Sequence, residues 1–134
     1  MSDESRVLAG VLLLALVTVE TGGLYLVRLV RGQAAVTPFQ LAFSRAGHAH
    51  AGVLLVLALV CQLLADSTTL TGGWSWLARS GVAVAALLMP AGFFLSSLGR
   101  GRDRPNPLVA LVFAGAAVLA LGLATLGVGL LSAG

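Results

Sequence analysis

The residues that could do chemistry in this chain are few. Its only two histidines, His48 and His50, stand in Arg45-Ala-Gly-His-Ala-His-Ala-Gly52, inside a stretch that otherwise reads as membrane-spanning. An imidazole at that depth is costly unless it faces protein, a partner or a cofactor, so it marks a functional site by default. On a helix, residues i and i+2 point about 200° apart. The pair therefore cannot chelate one ion from a regular helix. It serves two sites, or one site and a hydrogen bond between helices. His48 shares a face with Ser44, Arg45 and Gly52, and His50 shares one with Ala46, Gly47, Leu54 and Cys61. The small residues beside His50 permit close approach of another helix, a second subunit or a porphyrin edge.

Glu20 is the other informative residue, near the middle of the first apolar run in Val17-Thr-Val-Glu-Thr-Gly-Gly23. A carboxylate there is protonated, paired or ligating. At about 1.5 Å per residue it lies about 12 Å from the end of its helix, and the histidines lie about 14 to 17 Å from the same end. A Glu20–His48 contact is one reading, and an ion pair with Arg45 that locks two helices is the other. A transition-metal site of Glu20, His48 and Tyr25 is a variant, since imidazole and carboxylate suit zinc, iron, copper or nickel. Tyr25 also reads as a packing or interfacial aromatic. Arg45, Ser44 and Tyr25 are the groups expected to surround and orient the ligands.

These residues are carried by four expected transmembrane helices. The 134 residues are 58% hydrophobic and only 10% charged, against about 25% charged in soluble domains. The expected fold is all-α: one domain, residues 1–134, with spans of about 7–30, 39–65, 77–98 and 108–131, each of the length a bilayer requires. The first run is too long, and its leading segment too acidic, for a signal peptide. Pro38 and Pro107 open the second and fourth helices, where a missing N–H costs nothing. The eight Arg, with no Lys and no Ile, point to a GC-rich bacterial genome. Arg28, Arg31, Arg45, Arg100, Arg102 and Arg104 gather at one end of the helices, so the basic charge is no nucleic-acid signal. By the positive-inside rule both termini are expected outside and the Arg-rich loops in the cytoplasm of a bacterial inner membrane. Trp74 and Trp76 are then an outer aromatic belt.

Other features read structurally. Gly22-Gly-Leu-Tyr-Leu-Val and Ala91-Gly-Phe-Phe-Leu-Ser, the Arg31-Gly32 and Arg100-Gly101 pairs, and Pro38 and Pro107 all repeat at an offset of 69 residues. They suggest a weak 2+2 parallel repeat of two hairpins. Thr18 and Thr21 return their hydroxyls to the backbone. Met89-Pro90 marks a kink, with Met ligation the lesser reading. Cys61, alone, permits no internal disulfide and reads as a small packing residue. Gly115, Gly122, Gly127 and Gly129 read as close-packing positions within or between subunits.

Gly47-His-Ala-His-Ala-Gly52 resembles the H-x-H helix of the catalytic subunits of heme-copper oxidases and nitric oxide reductases. There the two histidines of one helix ligate two different hemes. The resemblance covers about ten residues and implies heme b ligation by His48 and His50. The family's other metal-ligand histidines have no counterpart here, so oxygen or nitric oxide reduction is not implied. The whole chain also resembles uncharacterised small four-helix bacterial membrane proteins with a similar Arg-Ala-Gly-His-Ala-His-Ala-Gly segment, which implies a family without an activity.

Three function classes follow. The first is a membrane protein that binds heme or a transition metal, for electron transfer or for heme or gas sensing, with a homo-oligomer supplying missing ligands. The second is a proton-coupled transporter using Glu20. A mid-membrane Glu in the first of four helices resembles small multidrug-resistance transporters, although the strong Arg bias departs from their weak charge asymmetry. The third is an accessory or assembly subunit of a respiratory membrane complex.

Overall fold

The computed structural model of the protein describes residues 1–133. These form four helices, α1 (Asp3–Val30), α2 (Pro38–Ala65), α3 (Gly72–Ser96) and α4 (Ala110–Leu131), with no strand. A single 3₁₀ turn, Pro107–Val109, leads into α4. All four helices are long and apolar enough to cross a membrane, and the chain is a multi-pass membrane protein with an all-α fold.

The helix starts follow local chemistry. The Ser2 hydroxyl accepts the Ser5 N–H ahead of α1, and Asp3 and Glu4 complement the helix dipole in its first turn. The start of α2 is a capping box. The Thr37 hydroxyl accepts from the Gln40 N–H, the Gln40 side chain accepts from the Thr37 N–H, and Pro38 occupies the first turn. Asn106 caps the 3₁₀ turn through the Leu108 N–H. Helix α3 runs unbroken through Pro90. The 69-residue offset extends to the backbone. It separates the caps Ser2 and Thr71, the caps Thr37 and Asn106, and Gly32 and Gly101, whose φ values are +70° and +63°. Both glycines take the left-handed conformation that other residues avoid.

Packing is uneven along the bundle. Helix α3 packs on both α2 and α4, whereas α1 packs chiefly on α2. Of the most apolar window of each helix, 44% is buried for α3 and 6% for α1. The α2–α3 interface is built from small side chains, with Ala58, Ala78 and Ala85 fully buried and Cys61 among them. Small residues let backbones approach, and in lipid that close packing replaces the hydrophobic effect as the driving force.

The glycines of α4 divide by role. A Cβ on Gly115 would stand 2.5 Å from Met89 Cγ, one on Gly122 would stand 3.0 Å from Gly81 Cα, and one on Gly129 would stand 2.5 Å from Leu70 Cδ1. These three, seven residues apart, form the seam against α3 and its leading loop. Gly127 has nothing within 4 Å of such a Cβ, so it takes no part in packing within the chain. Met89, weighed above as a ligand, is a buried packing residue against Gly115.

Candidate functional site

His48 and His50 leave α2 on different sides, as their spacing requires. The His48 ring lies against α1 at Gly22 and Gly23. A Cβ on Gly22 would be 3.3 Å from His48 Nδ1, and one on Gly23 would be 3.4 Å from Cε1. Glycine at both positions is what admits the imidazole between the helices. His48 and Glu20 line one open groove of about 630 Å³, with Leu16, Val19, Gly23 and Leu24. Each is ten residues from the Arg-rich end of its helix, about 15 Å.

The groove brings Glu20 and His48 together without joining them. No hydrogen bond links them among the described residues, and Glu20 is exposed on the flank of α1. The Glu20–Arg45 ion pair considered above does not form. The ion pairs among the described residues are Arg79–Asp66, Arg6–Asp3 and the terminal ammonium with Asp66. Arg45 is exposed and Ser44 is buried within α2. Tyr25 lines a different cavity, at the Arg-rich end, so it does not join Glu20 and His48. Thr18 and Thr21 return their hydroxyls to the carbonyls of Ala15 and Thr18.

His50 faces the α3 side. Its Nδ1 lies 2.8 Å from the Ala46 carbonyl one turn back, and its ring lies 4.9 Å from that of Phe93. A carbonyl only accepts, so a neutral His50 carries its proton on Nδ1 and presents Nε2 as an acceptor. The ring lines a shallow hollow of about 180 Å³ with Ala49, Val53 and Leu54. Phe93 and Phe94 in turn crowd Gly47, where a Cβ would stand 2.9 Å from Phe94 Cε2. The aromatic wall of α3 thus fixes both the position of α2 and the orientation of His50.

No group of three or more His, Cys, Asp or Glu side chains that could hold a metal ion occurs among the described residues. The chain by itself offers at most a Glu–His pair on one side of α2 and a single imidazole on the other.

The most elaborate polar cluster lies elsewhere, at the end of the bundle that carries the termini. Arg79 Nη1 on α3 is 2.6 Å from Asp66 Oδ1 at the end of α2, and also donates to the Ser5 hydroxyl of α1. Ser5 Oγ stands 2.9 Å from Asp66 Oδ1 and 3.2 Å from the Gln62 carbonyl. The Ser2 N–H donates to Asp66 Oδ2 at 2.8 Å. Gln62, fully buried, donates through Nε2 to the carbonyls of Ala58 and Arg79, and its Oε1 has no partner. The Arg79 guanidinium holds the Asp66 carboxyl well below the usual carboxylate range. The sequence marks Asp66 only as the start of a polar break between the second and third spans, and Arg79 only as one of two arginines, with Arg6, on the sparsely charged side. One signal available in the sequence was a lone Arg just inside the expected third span, 77–98, which needs a counter-ion.

Comparison with protein-family models, with curated proteins and with solved structures finds no match to this chain.

Proposed function

We propose that this protein binds heme b in a bacterial inner membrane, with His50 as an axial ligand and a second copy of the chain completing the site. The observation that carries the reading is the Nδ1 bond of His50 to the Ala46 carbonyl. Metal-ligating histidines generally donate one ring N–H to such a group, which fixes the tautomer and leaves the other nitrogen free for the metal. The donor count favours a porphyrin over a bare ion. A structural zinc site takes four protein ligands and a catalytic one three, more than this chain brings together. A porphyrin supplies four nitrogens itself, so one imidazole from each of two chains suffices.

Heme would supply one-electron or gas-binding chemistry, its potential set by the axial ligands and burial. The chain's own residues anchor Nδ1 and leave Nε2 free, wall the imidazole with Phe93 and offer the small side chain of Ala49 at the contact. The hollow at His50 is smaller than a porphyrin, so a partner must cover the rest. The arginine distribution supports cytoplasmic Arg-rich loops with both termini outside.

A visible spectrum of purified protein, with hemin added where needed, tests this reading. The expected result is a Soret band at one heme per two chains, lost in His50→Ala and retained in His48→Ala. A band that survives His50→Ala, or no band after hemin addition, overturns it.

A second reading is favoured by the shared groove of Glu20 and His48. Two titratable groups at one depth suit proton-coupled transport, with Glu20 as the proton site and His48 as a relay. In liposomes, Glu20→Gln is expected to abolish substrate-driven proton flux. Flux that survives the substitution removes this role.

A further inference from the structure

At the Arg-rich end, the loops 31–37 and 97–106 enclose a cavity of about 640 Å³, lined by Tyr25, Val36, Gln40, Gly99 and Arg100 among others. We propose that it is a binding site for the phosphate headgroup of an anionic phospholipid. Six arginines, Arg28, Arg31, Arg45, Arg100, Arg102 and Arg104, lie at this end, and the one acid with them is Asp103. None of the six pairs with a carboxylate among the described residues. That concentration of unneutralised cations attracts anionic headgroups.

The cavity is held open by a stapled rim. Gln40 Nε2 donates to the carbonyls of Ser97 at 2.9 Å and Gly99 at 2.7 Å. The Thr37 hydroxyl donates to the Arg102 carbonyl, and Arg102 Nε returns to the Leu98 carbonyl at 2.6 Å. Loop carbonyls are thus consumed by α2. The backbone N–H groups of Gly99, Arg100 and Gly101 have no partner among the described residues, and Arg100 lines the same cavity. Donors without acceptors are what a phosphate requires.

The cavity is also two-sided in character. Tyr25 lies five residues before the end of α1, about 8 Å down the helix, and is half exposed on its flank. Ala34, Ala35 and Val36 add an apolar wall. A ligand that fills it carries a phosphate above and hydrocarbon below, which favours a lipid over free phosphate.

The test measures the thermal midpoint and lipid retention of the full chain in neutral detergent. Phosphatidylglycerol, phosphatidylcholine and inorganic phosphate are added separately. Phosphatidylglycerol is expected to raise the midpoint, the other two not. Arg100→Gln is expected to weaken phosphatidylglycerol binding about fivefold, the worth of one cation near an anionic surface, without moving the lipid-free midpoint. Arg104→Gln, outside the cavity lining, retains affinity. Equal stabilisation by phosphatidylcholine, or full reproduction of the effect by inorganic phosphate, overturns the proposal. So does an Arg104→Gln loss equal to that of Arg100→Gln, which would mean diffuse charge rather than a site. If Arg100→Gln shifts the lipid-free midpoint, Arg100→Lys, which keeps the cation, decides: affinity retained in Arg100→Lys and lost in Arg100→Gln supports the site, and equal affinity in the two overturns it.

Discussion

Arg79→Ala lowers the stability of the protein by about 3 kcal/mol. The substitution leaves the partly buried Asp66 with only the terminal ammonium, 3.9 Å away, and breaking a buried pair from one side costs about 3 to 5 kcal/mol. The lower end applies because the Arg79 and Asp66 side chains keep 12% and 18% of their exposure. The loss extends beyond the pair. Arg79 also holds Ser5, and Ser5 and Asp66 are the ties that bind the start of α1 to α2 and α3. Amide exchange in the first turns of α1 should therefore rise before the rest of the bundle loosens. Arg6→Ala is the control, since the Arg6–Asp3 pair is exposed and such pairs contribute little. The pH dependence has a definite sign. The folded Asp66 carboxyl titrates below its ordinary value of 3.8, so its contribution is complete above that value and is lost as pH falls below it. Acid unfolding followed by circular dichroism should show this component in the wild type and not in Asp66→Asn. An Arg79→Ala midpoint equal to wild type would remove the latch from the account.

Gly122→Val is expected to part α3 from α4, at a cost of about 3 kcal/mol or more. At the crossing, a Cβ on Gly81 meets Gly122 Cα at 2.8 Å, and a Cβ on Gly122 meets Gly81 Cα at 3.0 Å. The obstacle on each side is backbone, which no rotamer change can move. Overpacking where side chains can yield already costs about 1 to 3 kcal/mol, and here a whole helix must shift. The shift also reaches Gly115 and Gly129 on the same seam, so the loss of packing is distributed along α4. Gly127→Val, at an open position, should leave stability unchanged and so control for helix propensity. Unfolding in graded sodium dodecyl sulfate separates the outcomes. A Gly122→Val chain as stable as Gly127→Val would mean that the helices do not cross at these glycines.

The sequence by itself determined the class, the number of helices and most of their limits. Twenty or so apolar residues between polar breaks admit only a spanning helix, and Pro38, Pro107 and the caps mark starts by local hydrogen bonding alone. It also determined that His48 and His50 diverge, because helical rotation is a property of the backbone. The 69-residue offset is faint in a sequence of low complexity, carried there by the Arg-Gly pairs and the prolines, and the caps and positive-φ glycines that share it are seen only in the structure.

Only the tertiary structure decided what stands opposite each face. That Gly22 and Gly23 receive His48, that Phe93 backs His50, and that Tyr25 belongs to another cavity depend on how the helices rotate and cross. A uniformly apolar sequence leaves that rotation unmarked, since every face of a lipid-exposed helix is hydrophobic. The Ser5–Gln62–Asp66–Arg79 cluster escaped for a related reason. Its members lie on three helices, far apart in the chain, and each alone has the composition of an ordinary helix end. The same holds for the seam glycines. Gly115, Gly122, Gly127 and Gly129 are indistinguishable as letters, and the approach of α3 and its leading loop separates three of them from the fourth.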